Sequence, residues 1–111
     1  MLCEYKPWQI KLINKMMSRA PDPKINDLVN REIISFGPGS GVRVFTPKKD
    51  VSEAALLFIH GGGMVIGSAS QDDQRLADLA AELGITVVSV EYRLAPEQPF
   101  PAPLDDCFAA W

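Results

Sequence analysis

Ala55-Leu56-Leu57-Phe58-Ile59-His60-Gly61-Gly62-Gly63 is the stretch on which the fold turns: five apolar residues run straight into a histidine and three glycines. A continuous apolar run of this length suits a strand buried on both faces, as in a parallel sheet. The glycines beyond it let the backbone turn sharply and present N–H groups without side-chain obstruction. Further on, Ser68 or Ser70 can cap a helix whose first turn carries Asp72 and Asp73. Leu76, Leu79, Ala80 and Leu83 continue it as an i, i+3, i+4, i+7 stripe, and Gly84 ends it. Ile85–Val90, rich in β-branched residues, reads as a second buried strand. Strand, helix and strand in that order require a parallel pair joined by a right-handed crossover.

Upstream, Glu32–Phe36 and Val42–Thr46 flank Gly37-Pro38-Gly39-Ser40-Gly41, the composition of an antiparallel hairpin with a longer loop. Pro47 to Ser52 is a polar connection. Residues 7–19 form a helix opened by Pro7, with Leu12, Ile13, Met16 and Met17 on one face opposite the lysines. Pro21 and Pro23 close it and leave an extended linker at Pro21–Lys24. Downstream, Pro96, Pro99, Pro101 and Pro103 stiffen a loop before a last helix that begins near Leu104. The fold class is α/β: an antiparallel hairpin leading into a parallel βαβ sheet, with a helix ahead of it. Two units are expected, a helix and linker over 1–24 and the sheet over 25–111.

Composition removes several functions. The net charge is −3, with no basic stripe to neutralise phosphates, so no nucleic-acid partner is expected. The charge is uneven: Lys6, Lys11, Lys15 and Arg19 against Glu4 give residues 1–20 a balance of +3, and the rest carries −6. A cationic amphipathic helix can lie on a membrane; a solvated face covering a neighbouring domain is the plainer reading. No apolar run approaches the roughly 20 residues of a membrane-spanning helix, and charges break up any signal-peptide core. Cys3, Cys107 and a single histidine offer neither a disulfide framework nor a metal cluster. No metal or cofactor is expected, and the expected compartment is a reducing cytoplasm.

Two backbone N–H groups held rigidly in a dry loop can stabilise the oxyanion formed when a nucleophile attacks an ester carbonyl. The glycine loop continues His60-Gly61-Gly62-Gly63-Met64-Val65-Ile66-Gly67-Ser68. The next strand runs into Glu91-Tyr92-Arg93-Leu94-Ala95-Pro96-Glu97-Gln98-Pro99-Phe100-Pro101-Ala102. These two blocks, ordered across one βαβ unit, resemble the hormone-sensitive-lipase group of α/β-hydrolases, over about residues 25–111. The N-terminal helix matches that family's cap less specifically, and Gln98 stands where many relatives carry histidine. The resemblance implies that Gly62 and Gly63 donate the oxyanion N–H groups and that Gly61 shapes the turn. It makes His60 an organiser of the loop rather than a general base. Met64 and Val65 would line an acyl pocket, and the N-terminal helix would belong to a cap.

The implied activity is hydrolysis of short-acyl carboxylic esters through a serine acyl-enzyme, on a small-molecule substrate and without a cofactor. None of Ser18, Ser35, Ser40, Ser52, Ser68, Ser70 or Ser89 stands in Gly-x-Ser-x-Gly. Nucleophile, acid and histidine come after the oxyanion loop in this fold. They are therefore expected beyond Trp111, with residues 1–111 inactive and prone to self-association by themselves. Two rivals are weighed. A dinucleotide site fails because Ile66 occupies the third glycine position and Asp72 and Asp73 would repel a pyrophosphate, although Glu91 stands where a ribose-binding acid could. A non-catalytic, receptor-like member that binds a small ligand is the alternative. Amide hydrolysis would use the same oxyanion hole.

Overall fold

The computed structural model describes residues 6–19, 21–61, 67–94 and 101–111, with the side chains of Ser18 and Arg19 left aside. Helix α1 spans Pro7–Arg19. Strands β1 (Val29–Gly37) and β2 (Ser40–Pro47) come next, then β3 (Ala55–Ile59). A 3-10 turn over Ala69–Asp72 leads into α2 (Asp73–Leu83), and β4 (Thr86–Glu91) and α3 (Ala102–Ala110) complete the order. One four-stranded sheet has the order β1-β2-β4-β3. β1 pairs antiparallel with β2 and β2 antiparallel with β4, whereas β3 and β4 are parallel from Ala55↔Thr86 to Ile59↔Val90. The expected α/β architecture, a hairpin leading into a parallel βαβ unit, is the one observed.

Side chains along a strand alternate between faces, so Val87 and Val90 lie on opposite sides of the sheet. Val87 packs with Phe45, Leu76, Ala77 and Ala80 beneath α2, and Val90 packs with Tyr92 and Cys107 beneath α3. Gly84, in the left-handed conformation, closes α2 as its position in the sequence suggests.

Several expectations need correction. The hairpin loop is a tight turn at Pro38-Gly39, and both strands run longer than expected. Gly41 is part of β2 because a Cβ there would overlap the Ile34 carbonyl oxygen on the partner strand. β3 is not buried on both faces. Among the described residues it pairs only with β4, and Leu56 and Ile59 remain 37% and 43% exposed.

On α1 the inward face is set by Ile10, which is buried, and by Asn14, whose Oδ1 accepts the Gly67 N–H at 3.2 Å. Leu12, Met16 and Trp8 face outward, Trp8 at 61% exposure. On α2 the buried stripe is Leu76, Ala77 and Ala80, while Leu83 is exposed. At the end of α3, Trp111 is 90% exposed.

A buried ion network binds the hairpin, the linker and α2. Asp73, the first residue of α2, is fully buried. The Arg43 guanidinium grips it two-pronged, Nε to Oδ1 at 2.8 Å and Nη2 to Oδ2 at 2.6 Å. Arg31 adds Nη1 to Oδ2 at 2.9 Å, and Arg43 Nη2 also donates to Asp22 of the linker at 2.7 Å. Burial pulls the Arg43 pKa down, but the hydrogen bonds and charges of Asp73 and Asp22 outweigh it and leave it raised.

Candidate active site

Parallel pairing of Ile59 with Val90 sets the C-terminal ends of β3 and β4 side by side. His60, just past β3, therefore meets Glu91 and Tyr92 at the end of β4. In open α/β sheets this carboxyl end is where ligands bind.

The His60 ring is buried and stacks on Tyr92, centroids 4.2 Å apart and planes 8° from parallel. Its Nδ1 lies 2.8 Å from the Gly61 carbonyl oxygen. A carbonyl only accepts, so Nδ1 carries the hydrogen of that bond. The Tyr92 hydroxyl donates to the His60 carbonyl at 2.8 Å and lies 3.4 Å from Nδ1. The histidine is thus held by ring and backbone at once, which suits an organiser of the loop. Tyr92→Phe removes the hydroxyl and leaves a buried carbonyl without that donor. An expected loss of about 1–2 kcal/mol would be read as a lower urea midpoint at unchanged slope; an unmoved midpoint would count against it.

Gly61 begins the loop, and Gly67, at φ 111°, ends it. A Cβ on Gly67 would stand 3.0 Å from the Gly61 carbonyl oxygen and 3.1 Å from His60 Nδ1, so the two ends of the loop touch. Gly62, Gly63, Met64 and Val65, the residues expected to carry oxyanion donation and the acyl pocket, lie outside the described residues. Ser68 caps the 3-10 turn by accepting the Ser70 N–H.

In the sequence Glu91 reads only as a possible ribose-binding acid; the fold gives it another place. Its Oε2 accepts the Ala69 N–H at 3.1 Å and the Ser68 hydroxyl at 3.3 Å. Its Oε1 lies 3.8 Å from His60 Nε2. Burial pushes the Glu91 carboxyl up, against the Ala69 and Ser68 hydrogen bonds and the charges of His60 and Arg43. Arg93, next along, is fixed by Asp106 of α3, which accepts its backbone N–H at 2.7 Å and its guanidinium at 2.8–3.0 Å. Burial works to raise the Asp106 pKa, but these hydrogen bonds and the Arg93 charge hold it below the ordinary carboxylate value.

The only cysteine among the described residues, Cys107, is buried, and burial followed by the Asp106 charge pushes its thiol up, away from nucleophilic use. No group of metal-ligating side chains occurs among the described residues, and no described helix is long and apolar enough to cross a membrane.

Known proteins match this arrangement. The profile of the alpha/beta hydrolase fold matches residues 56–111. An ethyl acetate hydrolase of Pseudomonas putida is 44% identical over 73 residues, covering 63% of this chain and 23% of that protein. The hormone-sensitive lipase of Mus musculus is 35% identical over 106 residues, covering 95% of this chain and 13% of that protein. The crystal structure of an esterase from the bacterial hormone-sensitive lipase family superposes with a TM-score of 0.69 at 31% identity, over 96% of this chain and 35% of the other. The chain thus spans about a third or less of the length of these relatives. Esterases and lipases recur among the matches, and the two sequence blocks that point to them frame the stem of the glycine loop. The chain belongs to the α/β-hydrolase family, among its hormone-sensitive-lipase members.

Proposed function

We propose that this chain supplies the oxyanion-binding part of a carboxylic-ester hydrolase acting on short-acyl esters through a serine acyl-enzyme. The observation that carries the reading is the rigid stem of the glycine loop. His60 is stacked on Tyr92, bonded to Gly61 and set at the carboxyl end of a parallel strand. A loop that leaves such a stem can hold its N–H groups in place before the substrate arrives, which is what transition-state stabilisation needs.

In the proposed mechanism a serine oxygen attacks the ester carbonyl carbon, and the carbonyl electrons move to its oxygen. Gly62 and Gly63 N–H groups receive that oxyanion, with Gly61 shaping the turn. Collapse expels the alcohol, which leaves with the proton given up by the serine hydroxyl, and water then cleaves the acyl–serine ester to release the acid and restore that hydroxyl. Met64 and Val65 line the acyl pocket. Residues 1–24 serve as cap helix and linker and 25–111 as the hydrolase part; the Asn14 bond to Gly67 supports a cap that reaches the loop. None of the seven serines stands in a nucleophile elbow, so residues 1–111 by themselves are expected to show no turnover. The open edge of β3 gives residues 1–111, taken alone, a surface for self-association.

The test is hydrolysis of aryl acetate and butyrate esters by the purified full-length protein. Turnover with an acyl-enzyme burst is expected. A folded protein that binds such esters without turnover would favour the receptor-like alternative and overturn this reading.

A further inference from the structure

The glycine loop is closed at its base by a residue outside it. Its two ends, His60-Gly61 and Gly67-Ser68-Ala69, come together over the last residue of β4. We propose that Glu91 is the positioning residue of this loop: its single carboxyl group ties both ends to the sheet. It takes the Ala69 N–H and the Ser68 hydroxyl at one end and shares a proton with His60 Nε2 at the other. The inference rests on the oxyanion reading for its consequence in catalysis, but not for the fastening itself.

Geometry supplies the argument. Each Glu91 oxygen reaches the Ala69 N–H, at 3.3 and 3.1 Å, so this end is held whichever oxygen carries charge. At the other end His60 Nε2 is buried and lacks a hydrogen-bond partner among the described residues. The bond of Nδ1 to the Gly61 carbonyl places the ring hydrogen on Nδ1. Nε2 then turns a lone pair toward Glu91 Oε1, 3.8 Å away. A lone pair facing a carboxylate oxygen is repulsive. With a proton on the Glu91 carboxyl the contact is attractive, at a separation longer than a full hydrogen bond. A buried acceptor left bare would otherwise cost what any unmet buried polar group costs.

The surroundings agree. Burial favours the protonated carboxyl, and the other charged group that acts on Glu91 is Arg43 from β2, whose guanidinium is already engaged by Asp73 and Asp22. Ser68, from the far end of the loop, is neutral. Tyr92, the next residue, holds the other side of the same histidine.

Two variants of the full-length protein separate this role from simple support of the fold. Glutamine fits in one orientation: its carbonyl accepts the Ala69 N–H while its amide donates to His60 Nε2. Glu91→Gln should therefore retain most of the rate. Alanine ties neither end, and a loop displaced by about an ångström should lower kcat by about 10- to 100-fold at little-changed KM. Hydrogen exchange at the Ala69 amide should quicken in Glu91→Ala and stay slow in Glu91→Gln, with β2–β4 amides unchanged in both. The His60 ring nitrogens can be assigned in the full-length protein by their loss in a His60→Ala variant. They should report the Nδ1–H form in wild type and Glu91→Gln, and a tautomer mixture in Glu91→Ala.

If Glu91→Gln is as slow as Glu91→Ala, the shared proton is wrong. If the Ala69 amide in Glu91→Ala exchanges as in wild type, the fastening is wrong. Should the wild type hydrolyse no ester while Ala69 still loosens in Glu91→Ala, the fastening stands and the hydrolase reading falls instead.

Discussion

Asp73→Ala is expected to destabilise the fold by about 3–5 kcal/mol, the usual result of removing one partner from a buried ion pair. Asp73 is fully buried and accepts from two arginines. Its loss leaves Arg43, almost as buried, with Asp22 alone, and Asp22 is 44% exposed, where solvent weakens the pair. Against an ordinary domain stability of about 5–15 kcal/mol, such a loss is a large share. The damage should also be spread, because the network joins β1, β2, the linker and the start of α2. Chemical denaturation of wild type and variant measures it. A change below about 1 kcal/mol would show that the pair contributes no more than an exposed salt bridge does. An Arg43→Met, Asp73→Leu double variant should recover much of the loss, since an apolar pair of similar volume leaves no charge unpartnered.

Gly63→Pro should carry the largest effect on activity. Proline has no N–H, so the substitution deletes one proposed oxyanion donor. Loss of one donor typically lowers kcat by about 10²–10³. KM should change little, because the oxyanion exists only on the way to the tetrahedral intermediate. Steady-state kinetics on aryl acetates with the full-length protein gives both numbers, and a melting curve checks that the variant is folded. A folded Gly63→Pro protein with wild-type kcat would remove Gly63 from the donor pair.

Much of this architecture can be read from hydrophobic period and from turn residues. The extent of α1, the parallel β3–β4 pair and the Gly84 stop are all consequences of local chemistry. The departures have physical causes of their own. Ser40 and Gly41 look like loop, yet Gly41 sits in β2 because only a residue without Cβ fits beside the Ile34 carbonyl. The apolar run of β3 reports how hydrophobic a strand is, not how many neighbours it has, and among the described residues only β4 pairs with it. The apolar stripe of α1 misleads because Asn14, a polar residue, points inward to meet Gly67. At the candidate site the two motif blocks announce the glycine loop and the segment after β4. Nothing local announces that Glu91 spans the loop, since its partners lie 22 to 31 residues away and only the crossover brings them together. Arg43 does carry a signal: a cation between Val42 and the apolar pair Val44-Phe45 on a strand needs a buried acid, and Asp73 is that acid.

Both tryptophans stand outside the core, Trp8 on the outer side of α1 and Trp111 at the end of α3. Their indoles are hydrated in the native state much as they would be in the denatured one. Emission from these two indoles in residues 1–111 should therefore be red-shifted from the start and nearly blind to denaturation. Stability measurements on residues 1–111 call for circular dichroism or for the buried Tyr92 instead. The same two indoles become clean optical reporters for another purpose: a shift of their emission to the blue would register whatever comes to cover α1 or the end of α3.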